Sequence, residues 1–250
     1  MKSIRRCLAF LLSFALLAGL LPGTALAEGD SQTAHAHPIC GANCAHNDST
    51  HGGSTTAWTK LWQDENEKIY AGNKELVSDN GYNLKLPAGS YYLEDDITFR
   101  YTITIVGDVH LCLNGHELSL NMLDIENIEM KAALTLCDCR GDGELASTMQ
   151  VRNGFTLYSG SVLGAFDDYS INLWSGTVEL AGGEILSRFQ NCYGVYFSGG
   201  AEVLILSGTT FGVESGAAKI ADILLGKGKS ITVPKALPIN SVYTVALEAP

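Results

Sequence analysis

LCLNGH at 111–116, LTLCDC at 134–139, FTLYSG at 155–160 and INLWSG at 171–176 superpose as lines of one pattern. VYFSGGAEV at 195–203 and ILLGKGKSI at 223–231 are looser members. Aligned this way, one apolar column reads Leu113, Leu136, Leu157, Leu173, Phe197 and Leu225, at offsets of 23, 21, 16, 24 and 28 residues. Irregular periods of this size are the mark of solenoid coils. Each coil is a strand-turn-strand unit that cannot bury its apolar face alone and must stack on its neighbours.

The text around these lines is β-rich. ITFRYTITI (97–105), LCLNGHELSL (111–120) and ALTLCDC (133–139) alternate with period two, and Gly or Asn punctuates every few residues. No long helical pattern follows about residue 80. A β-sandwich is the rival reading; it would make hairpins of LNGHEL (113–118) and LAGGEI (180–185). Like residues stacked at coil-length offsets favour an all-β, right-handed parallel β-helix over 81–250. Its expected core, from about 85 to 245, is Leu111, Leu113, Leu134, Leu136, Leu157, Leu173, Val178, Phe197, Val203 and Ile231. The same alignment puts Cys139 on His116 and Cys137 on Asn114, which makes Cys112 and Cys137 diagonal neighbours.

Upstream, MKSIRRCLAFLLSFALLAGLLPGTALA (1–27) has a cationic head, an apolar stretch and a small-x-small end at Ala25-Leu26-Ala27. That is the pattern of a cleaved export signal, too short and wrongly flanked for a membrane span. Its removal leaves thirteen basic residues against twenty-seven acidic ones, a formal charge of −14. Such a surface repels nucleic acid and anionic lipid. The expectation is a secreted or cell-surface chain with no nucleic-acid partner and no membrane insertion after signal removal. Six cysteines remain, which permits disulfides without proving any. From Trp58 to Val77, apolar residues at Trp58, Leu61, Trp62, Ile69 and Leu76 have a loose helical spacing, so 58–80 is expected to be a small helical cap.

Residues 28–57 are polar and coreless, with a dense run, HAHPICGANCAHNDSTH, at 35–51. His35, His37, Cys40, Cys44, His46 and His51 are candidate metal ligands. Zinc takes four imidazole or thiolate ligands, and bound metal would supply folding free energy that the segment lacks. A Cys40–Cys44 disulfide and a polar spacer are the alternatives. The carboxy end, SVYTVALEAP, has neither a sorting tail nor a capping helix, so either the chain is a fragment or its last strand covers the final coil.

GSYYLEDDITF (89–99), HLCLNGHELSL (110–120) and LTLCDCRGDGEL (134–145) resemble exported proteins of Gram-positive gut bacteria with pectin-lyase-like parallel β-helix domains. The His/Cys segment resembles the module preceding that helix. The resemblance covers about residues 35–145. It implies a surface module, adhesin-like or glycan-contacting, with a glycan or a host or bacterial surface ligand as partner. Polysaccharide lyases and glycoside hydrolases share the fold class, and a purely structural stalk is a third reading.

Catalysis would need convergent carboxylates about 5–10 Å apart. Asp95/Asp96, Asp138/Asp142 and Asp167/Asp168 are the pairs available, and each fits a turn as well as a site. No catalytic residue is assigned. Arg140-Gly141-Asp142 spells an integrin-binding tripeptide, but within a Gly-rich turn it carries no weight. For binding, Tyr158 and Trp174 each follow an inward leucine. In the alignment above they share an outward column and would form one aromatic platform for a sugar, with burial under a loop as the alternative.

Overall fold

The sequence ITFRYTITIVGDVHLC forms a single long strand that turns two corners. In the computed structural model it is β6 (Ile97–Cys112). Its register slips between Phe99 and Thr102, and the strand bends again near Gly107. The model describes residues 35–38, 55–78, 82–125, 132–164, 168–188, 190–214, 218–233, 237 and 241–248, all in the unit Ala34–Pro250. Among them there is no helix.

The three segments of β6 belong to three stacks of parallel strands. The first stack, face A, takes β5 (Asn83–Leu93), the middle of β6, β7 (Glu117–Ile125), β9 (Glu144–Val151), β12 (Tyr169–Leu180), β14 (Gln190–Leu206), β16 (Ala218–Leu225) and β18 (Val245–Leu247). One apolar column runs its length, buried from Leu84 through Ile103, Leu123, Met149, Ile171 and Val195 to Ile223 and ending at the exposed Val245. Face B joins the later parts of β5, β6, β12 and β14 with β8 (Ala133–Cys137), β10 (Gly154–Leu157) and β17 (Ile231–Thr232). Its core column is Leu111, Leu136, Leu157, Leu180, Leu206, at steps of 25, 21, 23 and 26 residues. Face C joins the first parts of β6, β7 and β9 with β11 (Ser161–Gly164), β13 (Glu184–Ser187) and β15 (Thr210–Val213). Ile97, Leu118, Leu145, Val162, Ile185 and Phe211 line it. The chain is a parallel β-solenoid, and the hairpins of a sandwich are not formed at LNGHEL or LAGGEI.

The turns from face B to face C explain the punctuation. Asn114 and Gly115 both take left-handed backbone, at φ 55° and 80°. Asn and Gly occupy that region at least cost. One coil later the fully buried Asp138 organises the turn. Its Oδ1 accepts from the Gly115 N–H at 2.7 Å and the Arg140 N–H at 3.3 Å. Its Oδ2 accepts from Gly141 at 2.6 Å and Gly143 at 2.8 Å. The carboxylate thus satisfies four backbone donors across two coils, a role that needs charge without chemistry. Arg140 of the tripeptide is spent in the same corner, its Nε donating to Asn114 Oδ1 at 3.1 Å.

Three expectations are corrected. The helix expected over 58–80 is instead strands through its described part: β2 (Thr55–Gln63), β3 (Ile69–Ala71) and β4 (Lys74–Glu75). Asp64 Oδ1 accepts from the backbone N–H groups of Asn66 and Lys68, both at 2.9 Å, and so closes a β2–β3 turn where a helix would have run on. β2 opens face B, with Thr59 opposite Tyr91 and Leu61 opposite Leu93. The single leucine column is two columns spliced together. Leu136 and Leu157 belong to face B, Leu173 and Phe197 to face A, and Leu111, not Leu113, lies opposite Leu136. Leu113 is buried all the same, at the turn. Finally, Val203 is 41% exposed, because Leu204 takes the inward place opposite Val178.

β1 (His35–Pro38) runs antiparallel to β2, with His35 opposite Trp58 and Pro38 opposite Thr55. The export signal and Cys40, Cys44, His46 and His51 lie outside the described residues.

Candidate functional site

Trp174 stands at the corner where β12 passes from face A to face B. Leu173 before it is fully buried, and the register shifts between Leu173 and Ser175. Gly176 has φ 85°, and a Cβ there would fall 1.6 Å from the Asn153 carbonyl oxygen, so only glycine lets the strand turn this tightly. Thr177 N–H donates to that same oxygen at 2.7 Å, and Ser175 Oγ donates to the Arg152 carbonyl at 2.5 Å. The backbone beneath the indole is therefore fixed from both sides.

The ring is 45% exposed yet held in place. Its Nε1–H donates to Gln150 Oε1 at 2.6 Å, and the Arg152 guanidinium lies 5.6 Å from its centroid. Such a cation–π contact is worth about 0.5–1 kcal/mol at an exposed site. Arg152 also pairs with Asp124 through Nη1. Gln150 Nε2 donates to the Tyr169 hydroxyl at 3.3 Å, the Tyr169 ring is 5.7 Å from Tyr196, and Ser198 Oγ donates to Asn172. Asp124, Gln150, Asn172 and Tyr196 lie opposite one another on successive strands of face A. Coil stacking at ~4.8 Å thus sets a polar ladder beside the indole. Gln150 and Asn172 are buried supports, whereas Trp174, Arg152, Tyr169 and Tyr196 reach solvent. An aromatic body with convergent polar groups on a rigid scaffold suits ligand binding.

Tyr158 is elsewhere. It follows Leu157 at the end of face B, and its N–H donates to Leu136 O at 3.0 Å. It packs, half buried, on a small cluster of Trp58, Tyr92, Cys112, Cys137 and Cys139. The structure therefore does not bring Tyr158 and Trp174 into one platform: Leu157 stacks on Leu180, while Leu173 stacks between Val151 and Phe197. The same register makes Cys112 and Cys137 directly opposite rather than diagonal.

The described members of the carboxylate doublets serve turns or face solvent. Asp96 Oδ1 accepts from the Glu117 N–H at 3.0 Å and meets His116 Nδ1 at 3.3 Å, Asp138 serves its turn, and Asp95, Asp142 and Asp168 are exposed. Asp167 lies outside the described residues. A carboxylate column does exist, on face C, where Glu117 is opposite Glu144, and Ser161 separates Glu144 from Glu184. Burial raises the Glu144 carboxyl above its ordinary range, and the Glu117 charge pushes it the same way. Each of these glutamates follows the turn into face C, in GHEL, DGEL and GGEI. These glutamates recur at coil spacing, not as adjacent residues, so the signal lies in the repeat and not in any one line of it.

Among the described residues no cluster of three or more His, Cys, Asp or Glu is arranged to hold a metal, and no helix is long and apolar enough to cross a membrane. No protein-family model, no curated protein and no solved structure matches the chain.

Proposed function

We propose that the chain is an exported, surface-associated β-solenoid of pectin-lyase-like, right-handed form, and that it binds glycans through the corner around Trp174. The observation that carries this reading is the half-exposed indole, fixed by Gln150 and Arg152 on a bend that only glycine permits. Sugars present apolar C–H faces that stack on such rings, and a preset ring loses little freedom on binding. The test is a glycan array probed with the chain from residue 28 onward. Trp174→Ala should lower retention at least tenfold while circular dichroism and thermal unfolding stay within error. Retention unchanged by that substitution would remove the corner from consideration.

Catalysis is the second reading, favoured only by the Glu117–Glu144 pair and the raised Glu144 carboxyl. Coils ~4.8 Å apart put such a pair near the separation that retaining glycosidases use. Release of reducing sugar from bound glycans, abolished by Glu144→Gln, would establish it.

The His/Cys stretch is proposed as a separate zinc-holding appendage. The β1–β2 ladder supports this, because Pro38 opposite Thr55 brings both ends of the intervening segment together. Cys40 and Cys44 with two of His35, His37, His46 and His51 would be the four ligands, with zinc supplying the cross-link. Protein purified without chelator should carry close to one zinc per chain, and Cys40→Ser should lose it. Less than ~0.2 zinc per chain, with both thiols blocked to alkylation, would establish the disulfide instead.

A further inference from the structure

We propose that the Trp174 corner selects neutral over acidic sugars, and that Asp124 sets the choice; this rests on the glycan-binding reading above. Arg152 is the cation at the indole. Its planar fork of donors matches a carboxylate, so an open Arg152 would draw a uronic acid onto the ring. Asp124, one coil away, already takes one arm of that fork, its Oδ1 meeting Arg152 Nη1. The Asp124 side chain is 17% exposed against 36% for Arg152, so the pair is partly withdrawn from water and an incoming carboxylate cannot displace Asp124 without stranding it. Asp124 lies directly opposite Gln150, which itself holds the indole, and this register keeps the carboxylate in place.

A neutral sugar meets no such conflict. A vicinal pair of hydroxyls can donate to the Asp124 carboxylate and accept from the Arg152 guanidinium while its ring lies on Trp174. The Tyr169 and Tyr196 hydroxyls offer further neutral partners on the same strip. From residue 28 onward the chain carries thirteen basic and twenty-seven acidic residues, a formal charge of −14, which adds long-range repulsion of an anionic polymer. The preference is built from an intramolecular anion standing where the ligand's anion would go.

The experiment compares neutral hexosaccharides, such as a β-1,4-glucan, with uronate hexasaccharides, such as an α-1,4-galacturonan, on one array at constant ionic strength. The unaltered chain should retain neutral members and not uronates. Asp124→Asn should raise the uronate-to-neutral retention ratio at least tenfold, and Arg152→Gln should leave uronate retention absent. Equal retention of both classes by the unaltered chain would overturn the proposal. So would an unchanged ratio in a folded Asp124→Asn protein, or uronate retention gained by Arg152→Gln. If Asp124→Asn fails to fold, the unaltered chain's own preference and the Arg152→Gln result still decide. Retention of neither class would sink the glycan-binding reading itself, whereas retention without preference would sink only the selectivity.

Discussion

At the scale of single residues, the chain separates chemistry that builds from chemistry that faces outward. Asp138 is the clearest builder. It is fully buried, and its two oxygens accept from Gly115, Arg140, Gly141 and Gly143. Asp138→Ala would leave several of these donors without a partner inside the protein. Only the Gly143 bond is fully buried, and an unsatisfied buried donor costs about 1–3 kcal/mol, so the loss should be about 1–3 kcal/mol in denaturant unfolding. Asp138→Asn, which keeps one acceptor oxygen, should lose less. Equal stability of Asp138→Ala and the unaltered chain would mean that water replaces the carboxylate without cost. In the sequence this residue read as one half of a catalytic doublet or as a turn. Only its burial and its reach to Gly115 on the preceding coil separate the two, and neither is a local property of DCRGDG.

At the scale of elements, the repeat was legible and its phase was not. Period-two alternation and turn glycines sufficed for parallel coils, because each coil repeats the same need to bury one edge of every strand. The column failed at its sixteen-residue step from Leu157 to Leu173, which is shorter than any full coil of face B and crosses from one face to another. A strand that turns corners, as β6 and β12 do, carries residues of different faces in one uninterrupted apolar text. That crossing is why Tyr158 and Trp174 looked like neighbours. The helix expected at 58–80 failed for a different reason: WTKLWQ and KIY supply helical spacing by coincidence, and the Asp64 side chain closes a local turn between them. Register also governs titration on face C. Glu144, raised by burial and then by Glu117, is disfavoured as a carboxylate in the folded chain. Its folded value lies above its unfolded one, so protonation favours the fold; stability from this source is greatest below the unfolded value and is lost as pH rises through the folded one. Glu144→Gln should therefore stabilise the protein at pH 7 by about a few tenths of a kcal/mol, the scale of solvent-screened pairs, and by nothing at pH 3–4. Thermal unfolding at the two pH values reads this directly, and a variant less stable at pH 7 would show that the carboxylate is held by favourable contacts.

At the scale of the whole molecule, stability should be graded along the solenoid axis. Each coil contacts only its neighbours, so stability is a sum of coil and interface contributions and not the property of one central core. The middle coils are closed on both sides: Met149, Val151, Ile171 and Leu173 are fully buried, with partners above and below. The described carboxy-terminal strand, β18, is paired to β16, and its Val245 and Leu247 are 43% and 76% exposed. Opening β18 thus exposes little additional apolar surface, while opening β9 or the first half of β12 must break two interfaces at once. Amide exchange followed by mass spectrometry should find residues 149–151 and 171–173 exchanging together, through the global transition. Residues 245–247 should exchange at least about tenfold faster, by local opening. Loss of the last strand should leave the Trp174 corner intact, because Asp124, Gln150 and Arg152 lie on the coils before it and Tyr196 on the coil after it, each held independently of β18. Uniform protection from end to end would mean that the coils unfold as one unit, and the corner's geometry would then depend on every coil down to the last.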